Sequence, residues 1–173
     1  QFFTDAYAGA APPWGLPMSQ GDMLAAFDSL DLAGVSLDVG CGTGVLGMAA
    51  AALWRRPVVA TDIDPVAAMT ARENVVSNGL GPWVQTGCAP GFRHDALRGL
   101  APYDLVFANI LAGPLKRLAP DIARHLNPGG FAILSGLLTP QAKGVEAVFR
   151  GHGMVRADRV VLGDWTSLCL RRT

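Results

Sequence analysis

The stretch Leu37 to Gly44, LDVGCGTG, constrains this chain more than any other. The run Val35–Val39 reads as a β-strand, and the Ala-rich pattern from about Val45 to Trp54 reads as a helix. Glycines between them let the backbone turn sharply and approach a ligand closely, and the helix presents its positive end to that ligand. Two motifs overlap here. Gly40, Gly42 and Gly44 spell the GxGxG of S-adenosylmethionine sites, while Gly42, Gly44 and Gly47 also satisfy the GxGxxG of dinucleotide sites.

The rest of the chain alternates short β-branched runs with longer helical patterns, the signature of stacked β-α units. A second strand is expected over Pro57–Thr61, followed by a helix capped by Asp64, started by Pro65 and ended at Asn78-Gly79. Trp83–Thr86 reads as a short third strand and Tyr103–Ala108 as a fourth, its apolar centre suited to the middle of a sheet. Pro114 opens a helix whose Leu115, Leu118, Ile122 and Leu126 form one buried stripe, with Lys116, Arg117 and Arg124 on a solvated face. Pro128-Gly129-Gly130 turns into a fifth strand, Phe131–Ser135, and Thr139-Pro140 starts a helix reaching about Arg150. Val155–Leu162 and Trp165–Arg171 flank a tight Gly163-Asp164 turn, so the last pair reads as an antiparallel hairpin.

The expected fold is therefore α/β, a doubly wound Rossmann-like seven-stranded sheet, mostly parallel with a C-terminal antiparallel hairpin. That is the class I methyltransferase arrangement rather than the six-parallel-strand nicotinamide fold. Residues 1–33 read as a helical and loop lead-in covering the cofactor site, and residues 34–173 as the cofactor-binding domain.

Composition narrows the function classes. Half of the 173 residues are hydrophobic and 16% are charged, enough to bury the core of one domain of ordinary size. A formal net charge of zero removes the bulk attraction of a dedicated nucleic-acid or anionic-membrane binder, so direct nucleic-acid binding is not expected. Cys41, Cys88 and Cys169 form no CxxC pair, which points to a reducing compartment and a cytoplasmic location. The uncharged run Val39–Trp54 is broken by Gly40, Gly42, Gly44 and Gly47, too many interruptions for a membrane span, and the first residues show no signal-peptide pattern. His94, His125 and His152 are scattered over different elements, so no metal site is expected.

Asp38, inside the end of the first strand, is out of place beside a pyrophosphate but suits a ligand carrying an ammonium and a sulfonium. Asp62 ends the second strand, 18 residues after Gly44, where a carboxylate can accept both ribose hydroxyls. Ile63 is free to pack on an adenine face, and Asp64 serves the helix cap. Asn109 stands at the carboxyl end of the fourth strand, where ligands bind in sheets of this topology. Cys41 reads as a small apolar filler, Arg55-Arg56 as partners of a helix dipole, and Trp165 as sheet packing.

LDVGCGTG, TDIDP (Thr61 to Pro65), ANILAGPLKRLAP (Ala108 to Pro120) and LSGLL (Leu134 to Leu138) together closely resemble the ribosomal protein L11 methyltransferase family. The resemblance runs from about Gly34 to Arg172 and is most specific over Pro102–Leu138. It implies S-adenosylmethionine as cofactor and methylation of amino groups, both α-amino and lysine side chains, on a protein of the large ribosomal subunit. It further implies that Gly40, Gly42 and Gly44 bound the methionine part, that Asp62 binds the ribose and that Asn109 faces the transferring methyl. No aromatic follows Asn109 to stack a base, which favours aliphatic amines. The chain departs from the family upstream, where PPWGLPMSQGD (Pro12 to Asp22) replaces a Gly, Thr and His-rich cofactor loop and is similar to the start of stand-alone seven-strand protein lysine methyltransferases. After the third strand, Gly87–Gly91 holds no acid for an adenine amine, leaving a backbone amide or Asp95 for that contact. A stand-alone lysine methyltransferase with a non-ribosomal target and a nicotinamide oxidoreductase are the alternative readings.

Overall fold

The computed structural model describes residues 34–92 and 95–173. In chain order these form β1 (Ser36–Val39), α1 (Val45–Trp54), β2 (Val58–Asp62), α2 (Pro65–Ser77), β3 (Val84–Cys88), α3 (Asp95–Leu100), β4 (Tyr103–Asn109), α4 (Ala112–His125), β5 (Leu126–Leu138), α5 (Thr139–Arg150), β6 (Met154–Leu162) and β7 (Trp165–Arg172). The strands make one seven-stranded sheet in the order β3-β2-β1-β4-β5-β7-β6. β1 to β5 run parallel, whereas β7 is antiparallel to both β5 and β6. The expected doubly wound sheet with its terminal hairpin is thus present, β7 slotting between β5 and β6. Because β1 lies beside both β2 and β4, strand order reverses there, and the carboxyl ends of β1 and β4 open the crevice where such sheets bind ligands.

The sheet is covered on both faces, as parallel sheets require. On one face Leu37, Val39, Val59, Val106 and Leu134 pack against Leu115 and Ile122 of α4 and Val145 and Phe149 of α5. On the other, Val58, Ala60 and Phe107 meet Leu46 and Ala50 of α1 and Ala71 and Val75 of α2. Small residues let α1 sit close: a Cβ on Gly47 would come within 3.3 Å of Val58 and 3.4 Å of Ala60. Gly47 therefore performs the helix-packing part of the dinucleotide fingerprint whichever cofactor the fold binds.

Local signals held where they were strongest. Asp64 caps α2, its Oδ1 accepting the Val66 N–H at 2.9 Å, and Gly79 follows the helix with φ 67°. Lys116, Arg117 and Arg124 are exposed; Leu115 and Ile122 are buried, Leu118 is half-buried, and Leu126, also buried, already belongs to β5. α4 starts at Ala112, two residues before Pro114, which occupies a first-turn position where no intrahelical N–H is needed.

Two elements depart from expectation. β5 runs from Leu126 rather than Phe131 and continues past Ser135 to Leu138. Pro128-Gly129-Gly130 loops out inside it: the register jumps from Tyr103↔Leu126 to Leu105↔Phe131. Asp104 anchors this loop, its carboxylate accepting the Asn127 side-chain N–H at 2.6 Å and the Gly34 N–H at 2.5 Å. α3 was not expected from the sequence, being six residues and too short to show a helical period. It delivers Leu97, fully buried, whose carbonyl accepts the Tyr103 hydroxyl at 2.7 Å. Among the described residues, no helix is long and apolar enough to cross a membrane.

Candidate functional site

The glycine loop is a tight turn tied to β2. The N–H groups of Gly40 and Cys41 both donate to the Thr61 carbonyl, at 2.8 and 3.0 Å, and Gly44 N–H donates to the Cys41 carbonyl at 2.8 Å. Gly40, Gly42 and Gly44 have φ of 70°, 55° and 80°, the left-handed region in which side chains are strained. Their surroundings differ. A Cβ on Gly40 would lie 2.5 Å from the Ile110 side chain, and one on Gly44 3.1 Å from Ala71, whereas Gly42 faces open space within 4 Å. The Gly40–Ile110 contact brings the β1 loop against the segment that follows β4, so the two most informative motifs of the sequence meet at the crevice.

Asp38 is almost completely buried beneath this loop, 1% exposed. Its Oδ2 accepts the Gly47 N–H at 2.9 Å, but Oδ1 has no partner among the described residues. Burial pushes the carboxyl up from the usual 3.8 to about 7; the Gly47 hydrogen bond offsets part of this, and the nearby Asp62 charge adds to it. A buried acid with one unpaired oxygen is a group that a neighbouring cation would satisfy.

Asp62 closes β2 half-buried, and each of its oxygens is already engaged: Oδ2 accepts the Gly42 N–H at 2.9 Å and Oδ1 the Asp64 N–H at 3.0 Å. Each oxygen keeps a second acceptor position, so the backbone orients the carboxylate without exhausting it. Ile63 is 71% exposed, its carbonyl approached by the Cys88 thiol at 3.6 Å. Asn109 ends β4 half-buried, paired in register with Ser135.

Asn74 is a site residue the sequence reading missed. From α2 its side-chain N–H donates to the Thr43 carbonyl at 2.9 Å, bracing the glycine loop from the far side. A polar residue in mid-helix was the available signal. Leu111 and Leu138, 73% and 41% exposed, were also missed; they occupy the N-cap positions of α4 and α5, where polar residues are favoured.

Cys41 is buried, and burial together with the charges of Asp38 and Asp62 pushes its thiol up to about 12, which makes it an unreactive filler. Arg55 closes α1, its N–H donating to the Ala51 carbonyl. His125 stacks on Phe92 at 4.7 Å between ring centres, with Nδ1 2.8 Å from the Asp121 carbonyl oxygen, and His152 lies in the turn after α5. Trp165 is half-buried and pairs with Leu138 and Leu162. His94, the lead-in over residues 1–33 and its Pro12–Asp22 stretch lie outside the described residues.

Comparison with known proteins agrees with this geometry. The family model for ribosomal protein L11 methyltransferase (PrmA) matches residues 23–173. A ribosomal protein L11 methyltransferase of Chelativorans sp. (strain BNC1) is 49% identical over 137 residues, 79% of this chain and 47% of the relative, so the chain spans about half the length of such curated relatives. Among solved structures, a ribosomal protein L11 methylase from Lactobacillus delbrueckii subsp. bulgaricus superposes with a TM-score of 0.78 at 29% identity, covering 87% of this chain and 76% of that one. An RNA methyltransferase from Salinibacter ruber, solved with S-adenosyl-L-homocysteine, shares the fold at 20% identity, with a TM-score of 0.69 over 94% of this chain and 92% of that one. With the sheet order, the glycine loop and the Asn109 segment all in place, and the family model matching most of its length, the chain belongs to the ribosomal protein L11 methyltransferase family.

Proposed function

We propose that this chain is an S-adenosylmethionine-dependent protein N-methyltransferase acting on amino groups, lysine side chains or α-amines, of ribosomal protein L11. The observation that carries the reading is the junction of the two motif loops: Gly40 packs on Ile110, the residue that follows Asn109. Residues 34–173 hold the cofactor, and the protein works in the cytoplasm.

The residues present fit the cofactor. Asp38 supplies a buried carboxyl with an unpaired oxygen that a cation would ionise, Gly42 leaves open space in the loop, Asp62 retains acceptor positions for a ribose, and Ile63 offers an exposed apolar face to a purine. When bound, S-adenosylmethionine supplies a methyl group already activated by its sulfonium. The protein then has to align a nitrogen lone pair with that methyl, an effect of orientation that reaches about 7–11 kcal/mol.

The nucleophile must be neutral. For a lysine of pKa about 10.4, deprotonation at pH 7 costs about 4.6 kcal/mol, and for an α-amine near 8 about 1.4 kcal/mol. The segment Ala108–Pro120 contains no His or Glu to act as a base. Desolvation is the remaining route: Leu111, just after β4, and Leu138, at the end of β5, are exposed apolar side chains at the carboxyl ends of neighbouring strands, and exclusion of water by such groups lowers an amine's pKa. The Asn109 carbonyl oxygen accepts an amine N–H and orients the lone pair.

The test is methyl transfer from labelled S-adenosylmethionine to unmethylated large ribosomal subunits and to a mixed cytosolic protein pool, read by gel and intact mass. The expected result is label on one small ribosomal protein. Label only on another protein would replace the ribosomal target, and label on RNA would overturn the reading.

A further inference from the structure

We infer that Gly136 is a positioning residue for the transfer site: the β-bulge it forms in β5 leaves the space in which the Asn109 amide lies, and so sets where that amide aims. The inference rests on the amine-orienting role proposed above for Asn109. Beside β7 the register passes from Leu134↔Leu168 to Leu137↔Thr166, three steps along β5 against two along β7. Gly136 is the residue that absorbs the mismatch, with φ 73°, and bulges of this kind re-aim neighbouring side chains. A Cβ there would sit 3.0 Å from Asn109 Oδ1 and 3.0 Å from the Ile110 carbonyl oxygen, both closer than ordinary carbon–oxygen contact.

The bulge is clamped on both sides. Ser135 Oγ lies 3.2 Å from Ser167 Oγ, and Thr139 Oγ1 lies 3.1 Å from Thr166 Oγ1 while donating to the Asp164 carbonyl at 3.0 Å. Ile110 in turn is wedged against Gly40. A methyl group added at position 136 therefore cannot be relieved by sliding either strand, and the free end of Asn109 has to give way. Contacts of 3.0 Å ask Asn109 to move by a few tenths of an ångström; since a displacement of about 1 Å can lower a rate by about 100-fold, a smaller shift should cost about tenfold.

Four variants test this: Gly136→Ala, Asn109→Ala, the double variant, and Gly163→Ala. Gly163 also has a positive φ, 55°, but faces nothing within 4 Å, so it carries the backbone strain without the contact. Methyl transfer to the accepted protein, S-adenosylhomocysteine binding and the Asn109 side-chain amide resonances are measured for each. In Gly136→Ala, kcat should fall about tenfold or more, S-adenosylhomocysteine affinity should stay within about threefold, and the Asn109 amide resonances should shift. Gly163→Ala should leave all three unchanged. On the Asn109→Ala background, adding Gly136→Ala should lower kcat by less than about twofold.

Multiplicative losses in the double variant, equal losses in Gly136→Ala and Gly163→Ala, or unmoved Asn109 resonances would each overturn the inference. Gly136→Asn guards against a folding defect, because Asn tolerates a left-handed backbone yet still carries the Cβ; it should show the same resonance shift. A wild-type chain that transfers no methyl group would sink the proposed function, while the resonance comparison would still decide the placement of Asn109.

Discussion

At the scale of single residues, Asp38 makes the sharpest demand. Its carboxyl ionises near 3.8 in the unfolded chain and near 7 in the fold, where burial holds the proton on. Between those values the folded chain binds more protons than the unfolded one, so this group's contribution to stability is present in full below about 3.8 and is lost as pH rises to about 7. A cationic ligand reverses the preference by stabilising the carboxylate. S-adenosylhomocysteine, which keeps the ammonium, should therefore bind more tightly as pH rises from 5.5 towards 7, with release of a proton measurable by calorimetry in two buffers of different ionisation enthalpy. Asp38→Asn should abolish the proton release. Asp62 and Asn109 separate by function: Asp62→Ala should weaken S-adenosylhomocysteine binding by about 1.5–3 kcal/mol, the range for hydrogen bonds to a charged group. Asn109→Ala should keep most of that affinity and lose about 100-fold in kcat.

Among the elements, legibility followed locality. α1 and α2 were readable because capping and turn chemistry act within a few residues; Asp64 does what its place before Pro65 implies. Asp64→Ala should cost about 1 kcal/mol, seen as a drop of about 2–4 °C in the melting temperature with methyl transfer unchanged. β5 was readable only at its centre. Pro128, Gly129 and Gly130 carry turn chemistry, and only pairing with β4 and the hydrogen bond from Asn127 to Asp104 draw the preceding residues into the strand. Its far end hides the bulge for the same reason: an isolated glycine in LSGLL signals a bulge or a close approach, but what approaches is a residue of another strand. The helix α3 was too short to leave a period at all.

For the whole molecule, the arrangement of the sheet distinguishes cofactors better than the glycine motif does. GxGxG and GxGxxG coexist in one loop, whereas the antiparallel β7, inserted between β5 and β6, belongs to the methyltransferase sheet. S-adenosylhomocysteine at 100 times its Kd should stabilise the chain by about 2.7 kcal/mol, raising the melting temperature by about 5–10 °C. NADH at millimolar concentration should leave it unmoved; the reverse pattern in a thermal melt would contradict the assignment. The sequence by itself determined the alternation of strands and helices, the glycine turn after β1, the cap of α2 and the terminal hairpin, because each depends on neighbours along the chain. Only the tertiary structure decided that Gly40 meets Ile110, that Gly136 makes room for Asn109 and that Asp38 keeps its proton to about pH 7. Those depend on residues distant in the chain arriving at one crevice, where packing and exclusion of water, rather than local propensity, set the geometry and the charge.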